Sequence, residues 1–141
     1  MNLDRIIAVR TNKTVYRDGE YCVKVFDDDF SKVDVLNEAL NQARVEETGL
    51  NVPKIVEVTK IDGKWAIVSE YVPGKTLARL MEENPDKKDE YLEKFVDWQI
   101  EVQSKKCPLL TKLRDKMNRK IDLTNLDESI KSVSYTHLTL P

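Results

Sequence analysis

Glycine, cysteine and histidine are scarce in this 141-residue chain, and each scarcity removes a class of chemistry. The four glycines lie too far apart for a G-x-G-x-x-G fingerprint or a Walker loop, whose backbones need closely spaced glycines to approach a phosphate. Cys22 and Cys107 fall in different predicted elements, with neither metal-site spacing nor a disulfide framework, and are expected to be inert thiols. The single histidine, His137, has Ser134 nearby but no orienting acid or scaffold for a nucleophile and base. No apolar run approaches the roughly 18 residues of a spanning helix. Met1-Asn2-Leu3-Asp4-Arg5 lacks the basic region and apolar core of a secretory signal, so a cytoplasmic location is expected. A formal net charge of −2 gives no global reason to bind nucleic acid or an acidic membrane.

What is present describes an ordinary soluble domain with a real core: 16.3 kDa, 40% hydrophobic and 34% charged. Asp18-Gly19 separates Thr14 to Arg17 from Tyr21 to Phe26, and Asp62-Gly63 separates Ile55 to Thr59 from Lys64 to Ser69. Both read as tight hairpin turns. A strand around Ile6 to Val9 completes a small antiparallel sheet. Between the hairpins, Lys32 to Glu47 has apolar residues at Val33, Leu36, Ala39, Leu40 and Ala43, a helical spacing stopped by Thr48-Gly49. After Pro73-Gly74 the signal is helical: Leu77 to Glu83, Lys87 to Lys105 with Leu92, Phe95, Val96 and Trp98 to Val102 on its apolar side, and Leu110 to Ile121. Trp65, Phe95 and Trp98 are expected in the core. The predicted class is α+β.

Lys24 is the most informative residue. Strand alternation in Tyr21-Cys22-Val23-Lys24-Val25-Phe26 puts it on one face with Cys22 and Phe26. A buried, unpaired ammonium there would cost several kcal/mol, so the fold must supply a carboxylate, an anion, or both. Taken alone, such a lysine also fits an edge residue snorkelling to water. Glu38 is the partner expected from the next helix. On a helical wheel, however, it lies roughly opposite the Leu36, Leu40 and Ala43 stripe, where a solvated surface acid would sit. Glu46 and Glu47, at the helix end, are poorer partners.

Four features in order resemble the amino-terminal part of the kinase-like phosphotransferases, in the aminoglycoside phosphotransferase and choline kinase-like branch. They are Cys22-Val23-Lys24 on the third strand, Glu38 in Asn37-Glu38-Ala39-Leu40, Leu50-Asn51-Val52-Pro53-Lys54-Ile55 before the fourth strand, and Ser69-Glu70-Tyr71-Val72-Pro73-Gly74-Lys75-Thr76-Leu77 as hinge and G-x-x-L segment. The resemblance spans about Ile6 to Leu77. It implies a sheet-and-helix lobe with hinge over residues 1 to 73 and the start of a helical lobe over 74 to 131. It implies that Lys24 holds the α and β phosphates of ATP, paired with Glu38. Cys22, Val9 and Val15 would contact the nucleotide with Ser69, Glu70, Tyr71 and Val72, the Glu70 carbonyl and Val72 amide being spaced to meet an adenine edge. The implied activity is transfer of the γ-phosphoryl of ATP, with Mg²⁺, to a hydroxyl of a small molecule.

The catalytic half of that pattern is missing. Kinase-like catalysis uses an aspartate with an asparagine five residues later and a further metal-binding aspartate. No Asp here has Asn five positions on, and no histidine precedes residue 132 to begin an H-x-D loop. Asp29-Phe30-Ser31 is similar to D-F-G but follows the lysine strand directly, too early. Arg10-Thr11-Asn12-Lys13 has no glycine, which fits the aminoglycoside branch better than protein kinases. Residues 132 to 141, SVSYTHLTLP, carry no Asp, Glu, Lys or Arg and resemble a non-native read-through tail. The expectation is a truncated kinase-like protein that binds nucleotide weakly and has neither catalytic residues nor metal ligands of its own.

Two other classes stand beside it. One is a non-catalytic binding or regulatory module. The other is a nucleic-acid binder using Lys105, Lys106, Lys112, Arg114, Lys116, Arg119 and Lys120, a run broken by a single acid, Asp115. With no aromatic interleaved, a plain helix surface is the preferred reading of that run.

Overall fold

The computed structural model of the chain describes Leu3 and residues 5 to 139; the last two residues of the expected tail lie outside them. Five strands, β1 (Arg5–Arg10), β2 (Lys13–Asp18), β3 (Tyr21–Phe26), β4 (Ile55–Ile61) and β5 (Lys64–Glu70), form one antiparallel sheet in the order β1-β2-β3-β5-β4. The α+β class is therefore observed. Helix α1 (Lys32–Glu46) lies between β3 and β4 in the chain. α2 (Leu77–Glu83), a 3-10 turn at Pro85–Lys87, α3 (Lys88–Ser104), α4 (Leu113–Asp122) and α5 (Glu128–Thr139) follow.

The turns explain the sheet. Ile61 pairs with Lys64 across Asp62-Gly63, whose successive φ values of 49° and 83° are those a two-residue hairpin needs and that Asp-Gly supplies cheaply. In the first hairpin Asp18 pairs with Tyr21, so the loop residues are Gly19 and Glu20, with Gly19 at φ 59°. The turn sits one residue later than Asp18-Gly19 suggests.

Opposite residues in an antiparallel ladder share a face. One face carries Lys13 with Phe26, Val15 with Lys24 and Ile67, and Arg17 with Cys22 and Ser69. Helix α1 covers part of it: Phe26, Val35, Ala39 and Ile67 form a buried cluster, with Phe30, Ile55, Val58 and Trp65 packed around it. The other face carries Val23, Ala66 and Val68, sheltered by Leu3, Tyr16, Val25 and Ile61.

Helix α1 is turned differently from the expected stripe. Val33 is 73% exposed and Leu40 48%, while Val35 and Ala39 are buried. The inward stripe is Val35, Glu38, Ala39, Gln42 and Glu46, at true helical spacing but mostly polar. Each polar member has a partner: Gln42 Nε2 donates to the Pro53 carbonyl at 2.9 Å, and Glu46 Oε1 accepts from the Ile55 amide at 2.7 Å. These bonds fasten α1 to the segment leading into β4. Ser31 caps its start, accepting from the Asp34 amide at 3.1 Å.

The chain divides into two compact units, one up to Pro108 and one from Leu109 onward. The Cys107 thiol, 3.5 Å from the Arg44 carbonyl, returns the segment after α3 to α1 within the first unit. Within the first unit α3 buries none of its residues. Leu92, Phe95, Val96, Trp98 and Val102, expected as its apolar side, are exposed. The neighbouring α2 and 3-10 turn span only seven and three residues, too short to cover a helix of 17. Trp65 is packed against the core, as expected. In the second unit the Tyr135 hydroxyl donates to the Asp122 carboxylate; that hydrogen bond, more than burial, pushes its pKa up to about 12.

The rotation of α1 is open to direct test. Phe26→Ala empties a site with no exposure and is expected to cost about 3 to 5 kcal/mol in urea denaturation, whereas Leu36→Ala on the outer face is expected to cost under about 1 kcal/mol. Comparable losses would mean that α1 presents its other face to the sheet.

Candidate functional site

The sheet face under α1 becomes polar at one end. Lys24, in the middle of β3, stands between Val15 and Ile67 and has the hydrophobic stem that such a position favours. Its ammonium donates to Glu38 Oε1 at 2.6 Å. Of the two readings of Glu38, the structure gives the paired one. The rotation of α1 that exposes Val33 and Leu40 is the rotation that turns Glu38 inward.

A second cation reaches the same carboxylate. Lys13, the first residue of β2, donates to Glu38 Oε1 at 3.0 Å and to Oε2 at 3.1 Å. Its ammonium also lies 5.2 Å from the centroid of the Phe26 ring, its partner across the ladder. Lys13 is not among the site residues expected from the sequence, although strand alternation marks it: β2–β3 pairing puts it on the face of Lys24. The three side chains are 22 to 29% exposed, and two cations against one anion leave the cluster with net charge +1. Burial raises the Glu38 carboxyl, and this is the largest single influence. The hydrogen bonds and charges of Lys24 and Lys13 together outweigh it and hold the group below the ordinary carboxylate value.

The other expected contacts divide. Val15, Cys22 and Ser69 share the Lys24 face, and Ser69 is buried. Val9 does not join them. It pairs with Thr14, on the opposite face, because the β1–β2 register matches Ala8 with Val15 after a bulge between Ile6 and Ala8. Glu70 closes β5; its amide donates to the Lys54 carbonyl at 2.9 Å and its carboxylate accepts from the Lys54 amide at 3.1 Å. The Tyr71 amide donates to the Glu20 carbonyl at 2.8 Å, and its ring lies 4.3 Å from the Arg17 guanidinium. Val72, next along, is exposed, and its amide has no backbone partner among the described residues.

Several other sequence features acquire structural roles. In Asp29-Phe30-Ser31, Phe30 stacks on Phe26 with centroids 4.8 Å apart, and Ser31 is the cap of α1. The Ser134 hydroxyl donates to the Ile130 carbonyl at 3.0 Å. The basic run from Lys105 to Lys120 is split by the division between units: Lys105 and Lys106 belong to the first, the other five to the second. Among the described residues, no three His, Cys, Asp or Glu side chains gather in a way that could hold a metal ion, and no helix is long and apolar enough to cross a membrane. No protein-family model, curated protein or solved structure matches the chain.

The shared carboxylate has a pH signature. Because Glu38 ionises more readily folded than unfolded, its contribution is present above the ordinary carboxylate value and is lost as pH falls through its lower folded value. Glu38→Gln leaves two ammonium groups without their anion and is expected to cost about 1 to 2 kcal/mol at pH 7, allowing for solvent screening. The gap between wild type and variant, measured by urea denaturation, should close on acidification to about pH 2. A gap unchanged over that range would contradict an ionised, doubly paired Glu38.

Proposed function

We propose that residues 5 to 72 form the nucleotide-binding lobe of a kinase-like phosphotransferase of the aminoglycoside phosphotransferase and choline kinase-like type. The observation that carries this reading is the ion pair between Lys24 on the third strand and Glu38 on the helix that follows it. In kinases a lysine on the third strand, held by a helix glutamate, grips the nucleotide phosphates. The pair alone would be a structural ion pair. Its setting supports more: Cys22 and Ser69 lie on the same face, toward the end of the sheet where the Val72 amide has no backbone partner among the described residues.

In this reading each group has a separate task. Lys24 neutralises phosphate charge, and Glu38 keeps its ammonium aimed. Cys22, Val15 and Ser69 line the flat apolar side of the base. The Val72 amide orients its edge, a contact worth about 1 kcal/mol net and so a matter of register more than affinity. Mg²⁺, when it accompanies ATP, would screen the polyphosphate; among the described residues no group of three acidic, histidine or cysteine side chains gathers to hold it. Transfer to an acceptor hydroxyl needs a base and metal ligands in a pattern this sequence does not contain. The activity assigned to the chain itself is therefore nucleotide binding, of order millimolar, with no turnover; the acceptor-binding step belongs to a complete enzyme of this type.

Thermal unfolding with Mg-ATP tests the reading. At ATP near ten times Kd, wild type should gain about 1.4 kcal/mol of stability, seen as a raised Tm, and Lys24→Ala should gain almost none. Equal protection of both proteins, or phosphorylation of an added alcohol by this chain, would contradict it.

A further inference from the structure

We propose that Lys13 is a second polyphosphate-binding residue, forming with Lys24 a two-ammonium clamp that does the work of a glycine-rich loop. This rests on the nucleotide reading of the Lys24 site and extends it to a residue outside the Lys24–Glu38 pair.

Phosphate-binding loops usually hold their ligand with backbone amides, and glycine allows the backbone to come close. The β1–β2 turn, Arg10-Thr11-Asn12-Lys13, has no glycine. It is also tied down, since the Asn12 carbonyl accepts the Asp27 amide at 3.0 Å just beyond the end of β3. A tip fastened in this way is not a free flap of amides. Positive charge at this end of the sheet comes from side chains instead, and Lys13 supplies it.

The cluster is built to accept an anion. Both ammonium groups sit on Glu38 Oε1, at 3.0 and 2.6 Å, so they are held close to each other. Among the described residues neither lysine pairs with a second carboxylate, which leaves one positive charge unmatched in a partly buried place. Each ammonium has three N–H donors. Lys13 spends two on Glu38 and Lys24 spends one, so three remain for a ligand. Lys13 is also preorganised: its position is set by pairing with Phe26, and its ammonium rests near the buried Phe26 ring. Arg10, opposite Lys13 in the β1–β2 ladder, adds a third cation to the same end of the face. A chain of phosphates, with several negative charges along its length, matches two adjacent ammonium groups better than a single carboxylate or monovalent ion does.

Calorimetric titration of the full chain with ATP, sodium tripolyphosphate and adenosine distinguishes the possibilities, using wild type, Lys13→Met and Lys13→Arg. Lys13→Met keeps the apolar stem and leaves the Lys24–Glu38 pair in place. The clamp predicts that Lys13→Met weakens ATP and tripolyphosphate about tenfold and leaves adenosine unchanged. Lys13→Arg should stay within about threefold of wild type. Unchanged ATP and tripolyphosphate affinity in a folded Lys13→Met would overturn the clamp and make Lys13 a structural counter-ion only. So would equal weakening of all three ligands, which would signal a distorted lobe. Should tripolyphosphate bind wild type as tightly as ATP, with loss in Lys13→Met and no adenosine binding, the clamp stands and the nucleotide reading falls. If wild type binds none of the three, both fall.

Discussion

The Glu38 carboxylate, shared by Lys24 and Lys13, is the contact on which the geometry of the sheet and α1 turns. It joins the middle of β3, the start of β2 and the inner side of α1 in one place, with hydrogen bonds of 2.6 to 3.1 Å. A helix can lie on a sheet in many rotations that bury similar apolar area. Here only one brings an anion to two cations that the sheet has already placed side by side. Were α1 rotated to bury Leu36 and Leu40, two ammonium groups would face the underside of the helix without a partner.

The consequence is a helix with an inverted appearance. Its inner stripe is Val35, Glu38, Ala39, Gln42 and Glu46, and its outer side keeps Val33, Leu36 and Leu40 exposed. Stability of the α1 face therefore comes from a small apolar cluster around Phe26 and Ile67, flanked by fully partnered polar groups. Such a seam gives less energy than an all-apolar one but greater specificity, because each polar group admits a single register. The same arrangement gives the site its chemistry. One carboxylate between two ammonium groups holds both lysines in place and leaves positive charge in excess, the feature on which the proposed phosphate binding rests.

Much of the fold is legible in the sequence for identifiable reasons. Asp62-Gly63 and the nearby Gly19 mark the hairpins because few other residues accept a positive φ. The face of Lys24 follows from alternation alone. The rotation of α1 is not legible, since apolar periodicity points to the stripe containing Leu36 and Leu40 while the true inner stripe is largely polar; only the cations on the sheet decide between them. The face of Val9 is not legible, because a bulge between Ile6 and Ala8 shifts the ladder, and a one-residue shift changes the face. Lys13 is the instructive omission. Whether the first turn is centred on Asp18-Gly19 or Gly19-Glu20, the register changes by two and the face of Lys13 is preserved, so alternation could have paired it with the Lys24 site. The apolar residues of α3 are legible as a helix face but not as core, because what covers a face is a property of neighbours rather than of the helix.

The central claim, that the two-lysine site is where this protein meets nucleotide, is tested most directly by following the side-chain ammonium and Cε resonances of Lys13 and Lys24 in wild-type protein during an ATP titration by NMR. The account predicts that both lysines shift together along one saturable curve, accompanied by the amides of Cys22, Ser69 and Val72, while Lys112 to Lys120 stay still. Shifts confined to the basic residues of α4, or lysines at the Glu38 site that do not move as ATP binds, would contradict it.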